Sequence, residues 1–359
     1  LPDFFRLFIR YQLSVMNNCL FSRFDDGKSY RCLSIKFEWS KCEMKIKRKE
    51  GRDVCRVHKT ADGVTYLTFP GLERTGAVRH LFSTREGGVS GGIYASMNLS
   101  YTRGDKKEAV DENYRRIAAC LESSVEDMVC PDQTHTDHIR LVTAKDRGKG
   151  VVKPKDYRDV DGLITQEKGI VLCTFFADCV PLFFVDPVRK AIGLSHSGWR
   201  GTVQKIGKKT VEEMGRAFGT KPEDIYAAIG PSICQDCYEV SEDVIEEFRK
   251  AFPGTRESGE MSYPQSESPD QACLENGSGI PKGHNEFREP SCRLWYSTKP
   301  GKYQLDLWEA NRQIMLEAGI PASQIEVTDL CTCCNPDFLF SHRASCGQRG
   351  NLGAFMKIL

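Results

Sequence analysis

GIVLCTFFADCVPLFFVDPVRKAIGLSH, residues 169–196, is the most strongly apolar part of the chain. It holds three runs rich in Val, Ile, Leu and Phe with weak alternation, the pattern of strands covered on both faces. Asp186-Pro187 marks a turn between the second and third runs. HSGWRGT, residues 196–202, then makes a polar, glycine-flanked turn. Beyond it, Val203, Ile206, Val211, Met214 and Phe218 keep helical spacing, and Gly219 is a natural end for that helix.

VTYLTF (64–69), HIRLV (138–142), IYAAIG (225–230) and IEVTDL (325–330) read as further strands. Asp105 opens a helix, with Glu108 at capping-box spacing and Val110, Tyr114, Ile117 and Leu121 as its apolar stripe. SEDVIEEFRKAF (241–252) and YQLDLWEANRQIMLEAG (303–319) read as two more helices. The mixed order predicts one α/β domain over residues 63–359, a sandwich with a mixed, sheet-rich core flanked by helices. Residues 1–62, with the basic tract KIKRKEGRDVCRVHK, read as a poorly ordered or loosely attached N-terminal extension. Residues 253–298, rich in Pro, Ser, Gly and Glu, read as a polar insertion or lid.

The 359 residues carry 50 basic and 49 acidic side chains, a net charge of +1. That balance argues against non-specific nucleic-acid binding. Sixteen cysteines are many, but they are spread through a long chain, unlike a short secreted disulfide scaffold. The apolar opening is interrupted by Arg6 and Arg10 and lacks a leader's cleavage site. No run reaches the ~18 apolar residues of a membrane span. The expectation is a reduced, cytoplasmic protein with no membrane partner; the oligomeric state is left open.

Cys179 and His196 carry the first chemical signal. If the second and third runs form a hairpin about Asp186-Pro187, the two residues face each other at its open end. Directly paired residues have Cβ atoms about 4.5–5.5 Å apart, which suits two ligands of one zinc ion or a thiolate–imidazole pair. A buried Cys beside a satisfied His is the plainer alternative. His135 in DQTHTDH is the best third ligand, with His138 as its competitor. Three protein ligands leave one position open for water or substrate.

Around this core, Asp178 is a catalytic or hydrogen-bonding candidate. Arg200 is the candidate anion grip, helped by a helix N-terminus near Thr202. Trp199 stacks on a base or packs in the core. Arg85 in STREGGVSGG, and Arg343 and Arg349 in SHRASCGQRG, are weaker candidates for phosphate. Cys234 and Cys237 form a CxxC that Cys333 and Cys334 could extend to four thiolates. Adjacent cysteines are not the usual CxxC…CxxC spacing, so a structural zinc there is disfavoured.

Taken together, HLFSTREGGVSGGIYASMNLS, GDKKEAVDENYRRIA, DQTHTDHI, FFADCVPLFFVDP, GLSHSGWRGT, AAIGPSICQDCYEV, LDLWEANR and CTCC…FSHR…GQRG resemble the YfiH-type laccase-domain family. The family carries two names, multicopper polyphenol oxidase and purine nucleoside phosphorylase. The resemblance spans residues 64–359 apart from the insertion. It implies a fold related to the catalytic domain of cytotoxic necrotizing factor toxins. It implies a zinc held by His135, Cys179 and His196, and phosphate-dependent cleavage of adenosine, inosine, guanosine or methylthioadenosine, with adenosine deamination as a second activity. Thr136 stands where the family pattern places glycine.

The oxidase name meets a counting argument. A multicopper oxidase needs a trinuclear cluster, usually built on His-x-His pairs. The chain has 7 histidines and no such pair. Copper remains a substitute for zinc at a His₂Cys site. The rival readings are a metal-free Cys179–His196 amidase or hydrolase and a nucleotide-binding protein without activity.

Overall fold

A computed structural model describes residues 46–49, 54–255 and 294–359, all within one compact unit, Lys45–Leu359. Its strands are β1 (Arg56–Lys59), β2 (Thr65–Thr68), β3 (Val78–Ser83), β4 (Met128–Val129), β5 (Ile139–Leu141), β6 (Gly162–Thr165), β7 (Val171–Phe176), β8 (Val180–Asp186), β9 (Ala191–Ser197), β10 (Tyr226–Ile229), β11 (Glu239–Ser241), β12 (Trp295–Lys299), β13 (Lys302–Leu305), β14 (Ile325–Val327) and β15 (Leu352–Ile358). One sheet runs β1-β2-β3-β15-β7-β4, a second β14-β10-β8-β9-β6-β5, and a small third β11-β13-β12.

The two large sheets pack face to face. Leu172, Phe176, Ala354 and Met356 of the first meet Leu163, Phe183, Val185, Ile192 and Leu194 of the second in one core. The alternate residues point outward under helices, because side chains alternate along a strand. Val171, Cys173 and Phe355 meet Val110, Tyr114 and Ile117 of the helix Lys107–Cys120. Leu182 and Phe184 meet Ile206, Val211 and Met214 of the helix Ile206–Phe218, with Phe248 and Leu307 beside them. This helix–sheet–sheet–helix layering explains the weak alternation of residues 169–196: both faces of β8 and β9 are buried throughout. Each fully buried Leu, Phe, Ile or Val contributes about 1.5–3 kcal/mol.

Several expectations shift. The β8–β9 hairpin forms, and Asp186 Oδ1 accepts the N–H groups of Val188 and Arg189 at 2.9 Å in its turn. Its register pairs Pro181 with His196 and Val180 with Ser197. Cys179 is therefore not cross-strand to His196; it lies past the ladder, level with Gly198. The helix expected from Val203 to Phe218 is broken at Lys205 (φ 58°), giving a short turn Trp199–Val203 and the helix Ile206–Phe218 with Gly219 in the left-handed C-cap (φ 68°). YQL belongs to β13, and the following helix is Leu307–Glu317, capped by Asp306 accepting from Glu309 N–H at 3.0 Å. Asp105 does not form a capping box; its carboxylate accepts from Lys106 N–H and from Asn98 Nδ2.

β15 was not anticipated. LGAFMKI has few β-branched residues, and its strand identity comes from pairing with β3 on one side and β7 on the other. Ordered structure also begins before residue 62. β1 pairs with β2, and Arg48 forms an ion pair of 3.0 Å with the buried Asp329. Residues 1–45 and 50–53 of the expected extension, and 256–293 of the expected insertion at 253–298, lie outside the described residues. The end of that insertion is strand β12, with Trp295 buried. Among the described residues no helix is long and apolar enough to cross a membrane.

Candidate metal centre

β9 places alternate side chains between the sheets, so His196 points into the inter-sheet core. It is buried, and its ring centroid lies 5.4 Å from that of Phe176. Its Nδ1 donates to Asp161 Oδ1 at 2.7 Å, and its backbone N–H donates to the Asp161 carbonyl at 2.8 Å. A carboxylate accepts, so this bond holds a proton on Nδ1 and turns Nε2 toward Cys179. The other oxygen, Asp161 Oδ2, accepts the N–H groups of Thr134 at 3.0 Å and Thr136 at 2.9 Å. His135 sits between those two donors in a left-handed conformation, φ 66°. One carboxylate thus sets both histidines.

Cys179 arrives from the other side. Asp178 adopts φ 88°, a rare conformation for a residue with a Cβ, and reverses the chain just before β8. Three bonds hold that turn. Asp178 Oδ1 accepts from the Thr332 hydroxyl at 2.6 Å, Oδ2 from Arg343 N–H at 2.7 Å, and its carbonyl from Ile233 N–H at 3.0 Å. Gly198 supplies the space: a Cβ there would lie 3.0 Å from the His135 ring and 3.2 Å from Cys179 Sγ. That is the role of the first glycine in HSGWRGT.

The result is a three-ligand cluster. His135 Nε2 is 3.9 Å from Cys179 Sγ, and the two imidazoles stand 5.0 Å apart, nearly perpendicular. One ligand atom from each of His135, Cys179 and His196 lies within 4.8 Å of the other two. Burial opposes ionisation of Cys179, but the adjacent His196 and hydrogen bonds from both histidines hold its thiol down at about 6. Burial also opposes a charge on His196, yet Cys179 and the Asp161 bond raise it to about 9. The thiolate these groups favour is the form that ligates metals and attacks electrophiles.

The cluster opens onto a cleft of about 450 Å³. Tyr101 and Phe175 give it aromatic walls; Arg103 and Arg349 bring positive charge. Burial and the nearby Arg103 lower Arg349 to about 10, and Arg349 Nε has no hydrogen-bond partner. Two repelling guanidinium groups and a bare donor are features an anion would satisfy.

The other candidates are placed differently. Asp178 is not a free acid, since both carboxylate oxygens are engaged in holding the turn. Arg200 is exposed and lies over the Trp199 ring at 4.3 Å; Trp199 itself packs at the edge of the outer core. Arg343 donates to the carbonyls of Cys237 and Glu239. Arg200 and Arg343 both act electrostatically on Tyr238, as do Cys179 and Asp178, but neither lines the cleft. Arg85 donates to the carbonyls of Ala95 and Pro336, covers Phe340 at 4.6 Å and borders a separate cleft. His138 turns away from the cluster, its Nδ1 3.0 Å from the Asp159 carbonyl. Asp161 and Arg103 escaped sequence reasoning. Asp161 is one of several acids in DYRDVDG with no spacing relation to either histidine, and Arg103 sits in an unpatterned loop.

Comparison with known proteins agrees with this architecture. A family model described as multi-copper polyphenol oxidoreductase laccase matches residues 79–278 and 270–359. The chain is 38% identical over 285 residues to purine nucleoside phosphorylase YlmD of Geobacillus stearothermophilus, covering 78% of this chain and 90% of that one. It is 33% identical over 264 residues to adenosine deaminase RL5 of an unknown prokaryotic organism, covering 73% and 87%. The crystal structure of the hypothetical protein YfiH of Bacillus licheniformis superposes with a TM-score of 0.69 at 32% identity, covering 86% of this chain and all of that one. The chain therefore belongs to the multi-copper polyphenol oxidoreductase laccase family, alongside YfiH- and YlmD-type proteins.

Proposed function

We propose that this chain is a zinc-dependent purine nucleoside phosphorylase, cleaving adenosine, inosine, guanosine or methylthioadenosine with phosphate, with adenosine deamination as a second activity. The observation that carries the reading is the His135–Cys179–His196 cluster at the base of a cleft that has aromatic walls and two arginines. The relatives named phosphorylase and deaminase support it. Two imidazoles and one thiolate form a donor set that fits zinc with one position left open. When bound, such an ion supplies Lewis acidity toward a ligand oxygen. Copper fits the same three atoms, but the 7 histidines of the chain leave little for a trinuclear centre.

The chain's own groups do the rest. Asp161 holds the Nδ1 proton of His196, which aims Nε2 at Cys179, and keeps His135 in place. Arg349 and Arg103 bind and orient the phosphate dianion. Tyr101 and Phe175 offer flat apolar surface to a purine. Phosphorolysis then forms a bond from a phosphate oxygen to the ribose anomeric carbon and breaks the bond from that carbon to the purine nitrogen.

The test is chromatography of inosine incubated with and without phosphate. Hypoxanthine and ribose 1-phosphate, formed only with phosphate and lost in Cys179→Ala, are expected. Free ribose in both incubations sinks the phosphorylase reading. A second reading, a metal-free thiol hydrolase, draws on the thiolate–imidazolium pair formed by Cys179 and His196. It requires full activity in protein stripped of metal.

A further inference from the structure

We infer that the chain holds a second metal ion, a structural zinc bound by Cys234, Cys237, Cys331 and Cys334, and that this ion fixes the turn presenting Cys179. One sulfur from each of these four residues lies within 4.8 Å of all the others. A tetrahedral zinc with Zn–S bonds of about 2.3 Å needs sulfurs about 3.8 Å apart, and Cys237 Sγ and Cys334 Sγ are already 3.5 Å apart. The fourth ligand is Cys331, not the Cys333 that the adjacent pair in CTCC suggests. With Cys331, the spacing becomes CxxC…CxxC, the usual pattern of structural zinc sites.

The loops are shaped for the purpose. Cys331 Sγ accepts two backbone N–H bonds, from Cys234 at 3.3 Å and Cys334 at 3.4 Å. Such donors stabilise sulfur carrying negative charge. Cys234 and Cys331 are buried, while Cys237 and Cys334 reach partly into solvent, which leaves an entry path. Lys49 interacts electrostatically with Cys234 and Cys334 and offsets part of the charge of a four-thiolate site. Loading forms four Zn–S bonds and releases the thiol protons to solvent.

The consequence for the first centre lies in the residues between the ligands. Thr332, inside the second CxxC, donates to Asp178 Oδ1, and Ile233, just before the first, donates to the Asp178 carbonyl. Thr332 N–H also bonds the Ser232 carbonyl at 3.1 Å, joining the two loops. A metal crosslinking those loops locks both grips on Asp178, and hence the position of Cys179.

The test measures bound metal by mass spectrometry and its ligands by zinc X-ray absorption on the full chain. The double variant His135→Ala/His196→Ala disables the first centre and leaves every cysteine intact. It is expected to keep one zinc with four sulfurs at about 2.3 Å. In the wild-type protein, Cys237→Ser or Cys334→Ser should remove one equivalent, while Cys333→Ser removes none. Three results would overturn the proposal: a folded double variant without zinc, a retained zinc with nitrogen or oxygen ligands, or a disulfide among these four cysteines in the native protein. If the double variant fails to fold, the wild-type absorption edge decides: a sulfur-dominated edge supports the site, and a first shell with one sulfur or fewer per zinc excludes it. The reading stands or falls separately from the phosphorylase activity, since its readout is the metal and its ligands.

Discussion

Asp161 Oδ1 accepts the Nδ1 proton of His196 at 2.7 Å. Both groups are buried, and the second Asp161 oxygen takes the N–H groups flanking His135. A carboxylate behind a metal-ligating imidazole fixes its tautomer and raises its basicity. Asp161→Asn keeps the shape but removes the charge and sets an amide N–H₂ against two backbone donors or against Nδ1–H. Zinc affinity should fall about 10–100-fold while the fold survives. Competition with a chromogenic chelator measures this, and unchanged affinity would show that the carboxylate does not tune the site.

Arg349 gives a prediction specific to phosphate. Its guanidinium is held in the cleft against the repulsion of Arg103, with Nε unpaired. Arg349→Met keeps much of the packing and removes the charge. The KM for phosphate should rise at least about tenfold, the scale of one lost charged hydrogen bond, while the KM for inosine moves by less than about twofold. An equal loss for both substrates would mean that Arg349 shapes the cleft without binding the anion.

What the sequence disclosed follows from how local each signal is. The hairpin of residues 180–197 was legible because two apolar runs and a turn residue lie side by side in the chain. The convergence of Cys179 and His196 followed from it, although the pairing was off by two residues. The open end is set by the φ of Asp178 and by the missing Cβ of Gly198, neither of which is a pattern. β15 was hidden because its residues are mediocre strand formers and its partners lie far back in the chain. Asp161 and Arg103 were hidden for a similar reason: their roles arise only when loops distant in sequence meet. The four-thiolate cluster was half visible, and the adjacent Cys333 and Cys334 drew attention from Cys331.

The turn HSGWRGT is tied to the rest of the fold through Asn311. This buried amide accepts from the Ser197 hydroxyl at 2.9 Å and donates to Thr202 Oγ1 at 3.1 Å and to the Leu307 carbonyl at 2.8 Å. Asn311→Leu would remove all three bonds and leave the two hydroxyls only each other, at 3.0 Å, and the Gly198 carbonyl, at 2.9 Å from Thr202 Oγ1. Unfolding free energy should drop by about 1.5–4.5 kcal/mol, at roughly 0.5–1.5 kcal/mol for each bond lost. Thermal denaturation reads the loss. Activity measured well below the new melting point should fall as well, because Ser197 adjoins His196.

His80 predicts an acid-sensitive fold. Its ring is buried beside Phe69 and Phe183, and its Nε2 accepts the Phe69 N–H at 2.9 Å. Burial pushes its ionisation down to about 3, whereas in the unfolded chain a histidine ionises near 6.5. Above that value both states are neutral and the group has no effect. Below it the unfolded chain takes up a proton that the folded one refuses, so stability falls by about 1.4 kcal/mol per pH unit until the folded-state value is reached. His80→Gln retains an acceptor for Phe69 N–H and does not titrate. The wild type should therefore lose stability relative to this variant as the pH falls from 6.5 toward 4, by about 3 kcal/mol in total. Urea denaturation at several pH values measures the difference. Parallel curves for the two proteins would show that His80 is protonated in the folded state and that the buried ring has found an acceptor for its second proton.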